Sequence, residues 1–515
     1  MKRRDFIRWA SATGMTLTAG CKAPTEPVSV AGAGLWGDAK GATAPFMLTP
    51  SVVPKGVLEV FLMGGLNPWD TFYVVPEHGD PARGGPYAGQ QWWTFQTGDD
   101  SVASWFQRCD GGSRSLYSPF ATDANGKTVN LGPWLYPLRE RPDILSRMRL
   151  VVVRHDLEPH EAAVPLCITG HSRGAPGLSS TGAHVQRYHA ERGSALRITP
   201  YSYVLFPNSD TVGNFNVEAA SATGIHPGMA RPLAVPLRAD TQLPEQLERS
   251  IFGGRHAAVD ALVSHYTAQF RTQFNHPEFG PGRVPRLERF DQARKAVQQA
   301  PELANILTAD ALQSFGGEEC GLSVDTDVTA MQLRLATHLL THPFERARYV
   351  HAIDVGLREA SNGGYDTHNY HVRDQSKAAV HMCRELVRNI NEPGENDPTK
   401  LNLDEQMVLL TSEMGRTPTI QKFSDGGLNH WPYGFVVALI GGPIKHGQAG
   451  VVGAIGEDAR ATEYISPAEL RAAILLAQGI YPFSREAFDP SDVRGDYDAV
   501  EATRFLMSHV LGQTV

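Results

Sequence analysis

Asp70 in GGLNPWDTF, His155 and His160 in RHDLEPH, Asp366, His368 and His371 in GYDTHNYH, Glu413 in SEMGR and His430 in LNHWP are all carboxylates or imidazoles in short polar motifs. That mixture of ligand types suits Zn²⁺, Mn²⁺ or a similar borderline cation. The expected metal ligands are Asp70, Asp366, His368, Glu413 and His430, holding one or two ions, with His155 and His371 in reserve. The expected catalytic residues are His160, as a further ligand or a nucleophile, and Arg416. The guanidinium would brace an anionic oxygen bidentately or pair with a nearby carboxylate. Any one of these residues alone is more simply a turn or cap residue. Their joint placement carries the reading.

The motifs follow apolar runs. VLEVFLMGGL at 57–66, RLVVVRH at 149–155, YVHAIDVG at 349–356, QMVLLTSE at 406–413 and GFVVALIGG at 434–442 are apolar on both faces, and long stretches separate them. Such runs predict a mainly parallel sheet covered on both sides by helices, a doubly wound α/β fold. In open sheets of this kind ligands bind beyond the carboxyl ends of the strands, where these motifs would lie. Helices are expected over 261–274, 284–314, 328–340 and 372–390. Residues 195–245, rich in Pro, Asn, Gly and Ser, read as loops. With the helices up to about 320 they suggest an insertion covering the site.

The chain has 515 residues, 42% of them hydrophobic and 20% charged, with a net charge of −8, so it lacks the basic footprint of a nucleic-acid binder. No later stretch offers the ~18 uninterrupted apolar residues of a spanning helix. The N-terminus, MKRRDFIRWASATGMTLTAGC, resembles a twin-arginine export signal over residues 1–21, and Cys21 stands where a lipoprotein would be acylated. The expected location is periplasmic or cell-surface, with the twin-arginine machinery as a partner and a lipid anchor at Cys21. Residues 22–54, rich in Ala, Gly, Pro and Ser, read as a flexible tether. The remaining cysteines, Cys109, Cys167, Cys320 and Cys383, show no disulfide framework.

GGLNPWDTF, His155-x4-His160 followed by ITG, GYDTH, SEMGRTP with NHWP, and GGPIKHGQAGVVG together resemble the bacterial family catalogued as domain of unknown function 1501, over roughly residues 55–515. That family is typically exported by the twin-arginine route and grouped with the alkaline phosphatase and sulfatase superfamily. The resemblance implies an alkaline-phosphatase-like sandwich with a metal centre at the sheet's carboxyl edge, acting on small anionic esters. It implies metal-binding roles for Asp70, Asp366, His368, Glu413 and His430. Two departures stand out: Met414 replaces a second ligand, and His160 occupies the place of the Ser or Thr nucleophile. Attack by a metal-activated water, or by His160 itself, would have to serve instead.

Two other readings stay open. GHSRG at 170–174 matches a nucleophile elbow around Ser172, although Pro176 and Gly177 would spoil the helix that should follow. An exported binding or scaffold protein without turnover is the other. Trp92-Trp93 suggests a sugar-stacking platform or, more simply, burial.

Overall fold

Every residue of Gly56–Leu62 is buried. In the computed structural model this strand, β1, lies inside an eight-stranded sheet with a core on each face. Leu58, Val60 and Leu62 join one core, Val57 and Phe61 the other, which is why the run does not alternate in polarity. The structure describes residues 35–514 apart from 79–91, 99–100, 111–113, 173–178, 193–201, 208–231, 236, 238–255, 275–327, 344–345, 357–363, 422–423, 485 and 496–497.

The other strands are β2 (Met148–Val153), β3 (Tyr203–Phe206), β4 (Leu233–Ala234), β5 (Tyr349–Asp354), β6 (Gln406–Thr411), β7 (Phe435–Gly441) and β8 (Gly450–Val452), in the spatial order β8-β2-β7-β6-β1-β5-β3-β4. All neighbours pair in parallel except β7, which is antiparallel to both β2 and β6. The helices named below are α1 (Val102–Asp110), α2 (His160–Thr169), α3 (Thr181–Glu191), α4 (His256–Phe274), α5 (Val328–Thr341), α6 (His371–Arg388) and α7 (Pro467–Ala477). Leu335 and Leu339 of α5 and Met382 and Leu386 of α6 cover one face. Val164 and Ile168 of α2, Val185 of α3 and Leu470 and Ile474 of α7 cover the other. The expected α/β architecture, a mainly parallel sheet between helical layers, is present. Among the described residues no helix is long and apolar enough to cross a membrane.

Several expectations are revised. Within 195–320, β3 and β4 extend the main sheet, so part of the supposed insertion is its edge. Most of the rest of that tract, including the helix expected at 284–314, lies outside the described residues, as do the export signal and Cys21. The tether is shorter than 22–54: Trp36 stacks on His184 with ring centroids 5.5 Å apart, and Met47 and Leu48 pack on the core. Cys167 and Cys383 are free, buried thiols.

One buried ion pair crosses the second core. Glu59, in the middle of β1, accepts from both terminal nitrogens of Arg471 on α7 at 2.7 and 2.9 Å, from the Tyr349 hydroxyl at 2.5 Å and from the Thr411 hydroxyl at 2.6 Å. Burial would raise this carboxyl's pKa, but the charge and hydrogen bonds of Arg471 outweigh it and hold the group down to about 2. Arg471 also donates from Nε to the Cys167 carbonyl of α2 at 2.5 Å, tying α7 to α2.

Candidate metal centre

The strand ends converge through tight backbone turns. After β1, Gly64 adopts φ 110°, and a Cβ there would lie 2.2 Å from the Asp366 amide nitrogen, so only glycine lets the loop after β5 approach this closely. Strands β6 and β7 are adjacent and antiparallel, which makes residues 412–434 one long hairpin connection. A two-residue ribbon continues the hairpin, with Arg416 opposite His430 and Gly415 opposite Trp431. His430 therefore reaches the edge shared by the other strand ends although it precedes its own strand. On β2's side, Pro159 caps α2 and His160 is its first residue.

Three of the expected side chains, His160, Asp366 and His430, meet at one point, and His368 adjoins two of them. Asp366 Oδ1 lies 3.4 Å from His160 Nε2, 3.1 Å from His368 Nε2 and 3.6 Å from His430 Nε2, while His368 and His430 are 2.9 Å apart through their Nε2 atoms. A cation held at ~2.1 Å by tetrahedral ligands has those ligands roughly 3.4 Å from one another. The separations around Asp366 are those edge lengths. Ligand atoms of His160, Asp366 and His430 all lie within 4.8 Å of each other.

The surroundings orient the imidazoles. His160 Nδ1 is 2.7 Å from Glu413 Oε1, and an ionised carboxylate can only accept, so Nδ1 carries a proton and Nε2 faces Asp366. Carboxylate–histidine pairs of this kind commonly fix the tautomer of a metal-binding imidazole. Burial opposes charging of His160, but its hydrogen bonds and charge interactions with Asp366 and Glu413 raise its pKa to about 9. Burial would also raise the Asp366 pKa, yet the histidines and the adjacent Arg416 charge hold it far below the ordinary carboxylate range. A cation would replace the proton on His160 Nε2.

A family model described as protein of unknown function (DUF1501) matches residues 54–484. The chain belongs to that family. No curated protein and no solved structure matches it.

The remaining expected residues of this DUF1501 chain have other partners. Glu413 is fully buried and accepts from the Gly64 amide at 2.8 Å as well as facing His160, so it fixes the His160 ring. Asp70 belongs to a separate buried group: its carboxylate accepts from the Thr94 hydroxyl at 2.6 Å and from Asn67 Nδ2, and lies 3.2 Å from His371 Nε2. His371 is fully buried, with Nδ1 2.7 Å from the Thr367 hydroxyl. His155 Nε2 donates to the Glu413 carbonyl at 2.6 Å, while its Nδ1 accepts from the Leu157 amide at 3.1 Å.

Arg416 is completely buried and donates to Asp366, Gly64 and Leu428, which makes it the brace of the Asp366 loop. Its guanidinium is engaged by the protein, so the expectation that it clasps a substrate oxygen is replaced by the salt bridge. Ser172 is exposed and follows helix α2 and the left-handed Gly170 (φ 79°), where an elbow would require a strand. Motif reading missed Gln421, whose Oε1 lies 3.1 Å from His368 Nδ1, and Asn67. Nothing in the spacing marks Gln421; Asn67, three residues before Asp70 in a Pro-containing turn, had the signature of a local cap.

Proposed function

We propose that this chain is an exported, metal-dependent hydrolase of phosphate or sulfate esters. The observation that carries the reading is the convergence of His160, Asp366 and His430, whose ligand atoms lie within 4.8 Å of one another, with His368 beside Asp366 and His430. Two imidazoles and one carboxylate, with a third imidazole adjoining, favour zinc, with manganese next, over magnesium or calcium. Such a cation polarises an ester oxygen and lowers the pKa of water to about 7. The protein would supply the rest. Glu413 keeps His160 in its ligating tautomer, Arg416 and the Gly64 turn hold Asp366, and His368, the most open of the group with a side chain 30% exposed, stands where the fourth position meets solvent. The alkaline-phosphatase-like superfamily relation, export through the Arg3-Arg4 signal and anchoring at Cys21 belong to the same proposal and rest on the motifs alone.

The four-residue geometry also favours one alternative. If all four side chains bind the ion the site is closed, the pattern of a structural metal, and the chain would be a non-catalytic exported binding or scaffold protein. Metal content by elemental mass spectrometry, for wild type, Asp366→Ala/His368→Ala and His368→Ala, combined with ester hydrolysis before and after chelation, separates the two. The hydrolase reading expects about one equivalent of metal, lost in the double variant, and chelator-sensitive cleavage that His368→Ala retains. Metal without turnover on any phosphate or sulfate ester selects the scaffold. No metal after reloading overturns both.

A further inference from the structure

Beside the loops that carry His368 and His430, a cleft of about 890 Å³ opens between α1, the first two turns of α6 and the turn at Asp425-Gly426. Its walls carry three aromatic rings, Trp93, Trp105 and Tyr370. They also carry three cations, Arg108, Arg373 and Lys377, against a single carboxylate, Asp425. The two loops that form its inner wall are those that deliver His368 and His430, and they press together there: a Cβ on Gly427 would lie 1.7 Å from the His368 carbonyl oxygen.

The rim is held under strain. Tyr370, a non-glycine residue, sits at φ 50° and ψ 40°, a conformation that costs on the order of 1 kcal/mol and persists where the surroundings enforce it. Asp425 enforces it twice, accepting the Tyr370 amide at 2.8 Å and its hydroxyl at 3.1 Å. The Tyr370 ring, 42% of the residue exposed, carries the Arg373 guanidinium 4.2 Å above it. The Arg373 guanidinium is also paired with Asp374 at 2.6 and 3.1 Å, whereas Lys377 makes no ion pair among the described residues, and the buried Trp93 Nε1 has no hydrogen-bond partner among them.

We infer that this cleft binds a sugar ring that carries a sulfate or phosphate ester. Flat aromatic walls suit the C–H face of a pyranose, Asp425 and the Tyr370 hydroxyl suit its hydroxyl groups, and the excess of cations suits the ester anion. Inorganic anions would leave the rings and most of the volume without use, and an aryl anion would leave Asp425 facing an apolar edge. The inference rests on the hydrolase reading only for the class of ester: none of the four cluster side chains lines the cleft, so it is a statement about binding and stands or falls separately from turnover.

Isothermal titration calorimetry on the metal-free protein tests it, with glucose 6-sulfate and glucose 6-phosphate as probes and glucose, inorganic sulfate, inorganic phosphate and phenyl sulfate as controls. At least one sugar ester should bind ten-fold or more tighter than every control, and the stronger of the two identifies the anion. Lys377→Gln, at a half-buried position, and Arg108→Gln, at an exposed one, should each weaken that binding about ten-fold, whereas Asp366→Asn should leave it within two-fold. Equal binding of glucose, of either free anion or of phenyl sulfate overturns the inference. So does the absence of binding, or loss in Asp366→Asn with retention in both cation variants, which would put the ligand on the metal cluster instead. Sugar-ester binding by a protein that, once loaded with metal, cleaves no phosphate or sulfate ester would sink the hydrolase and leave the cleft standing.

Discussion

His368 and His430 face each other Nε2 to Nε2 at 2.9 Å. Gln421 Oε1 accepts from His368 Nδ1 at 3.1 Å, which turns His368 Nε2 toward both His430 and the ionised Asp366. Lone pairs and a carboxylate pointed at one spot are repulsive unless a proton or a cation lies between them. Adding zinc should therefore stabilise the protein. At one hundred times the dissociation constant the gain is about 2.7 kcal/mol, read as a rise in melting temperature, and His430→Ala should abolish most of it. A melting temperature indifferent to every divalent cation would contradict the site.

Glu413 contacts the cluster through His160 only, so replacing it tests orientation separately from ligation. Glu413→Gln should lower zinc affinity about 10- to 100-fold without removing the site, in competition against a chromophoric chelator. An unchanged affinity would mean that His160 does not need its partner.

Asp70→Asn should leave metal content unchanged, because the Asp70 carboxylate is occupied by Asn67, Thr94 and His371. Its cost should appear in chemical denaturation, at about 1–3 kcal/mol for disturbing a buried charge-assisted network. Loss of a second metal equivalent in this variant would instead show that Asp70 and His371 hold an ion of their own.

The Glu59–Arg471 pair sets a pH dependence. Glu59 lies at about 2 in the folded chain against an ordinary 4.5, and an acid with a lowered pKa contributes stability that is complete above its unfolded value and lost as pH falls toward its folded one. The stability advantage of wild type over Glu59→Gln should be flat above pH 4.5 and shrink between pH 4.5 and 2, by about 3 kcal/mol. Denaturant midpoints measured across that range check it; a constant difference would mean that the pair titrates elsewhere.

Gly64→Ala should fail more severely than an ordinary loop substitution. The new methyl group would be strained by its positive φ and would collide with the Asp366 backbone, so both melting temperature and metal affinity should fall together. A stable variant that merely loses metal would point to a more pliable Asp366 loop.

The five long apolar runs announced five strands of the sheet because burial on both faces writes an uninterrupted run. Direction is not written that way, so the reversal of β7 was invisible, as were β3 and β4, too short to stand out among Pro, Asn and Ser. GYDTH, LNHWP and the start of α2 could be read as suppliers of one site because strand-edge loops collect at one rim. What the motifs could not tell is which way a buried carboxylate turns. Asp70 and Asp366 both follow strands, yet one closes on Asn67 and Thr94 and the other on three imidazoles. Glu59 was a visible anomaly in an apolar strand, but its partner lies 412 residues away and no local pattern joins them.

The 412–434 hairpin bears on how the chain assembles. Because β6 and β7 are neighbours in both sequence and space, Glu413, Arg416, Gln421 and His430 can be arranged by local closure, early and at small entropic cost. Asp366 and His160 arrive from segments roughly 50 and 250 residues away. Their contacts with the hairpin close far longer loops. An ion gripped from both sides would act as a latch between the local hairpin and its distant partners, so that metal supply would govern how long the finished fold lasts as well as what it does.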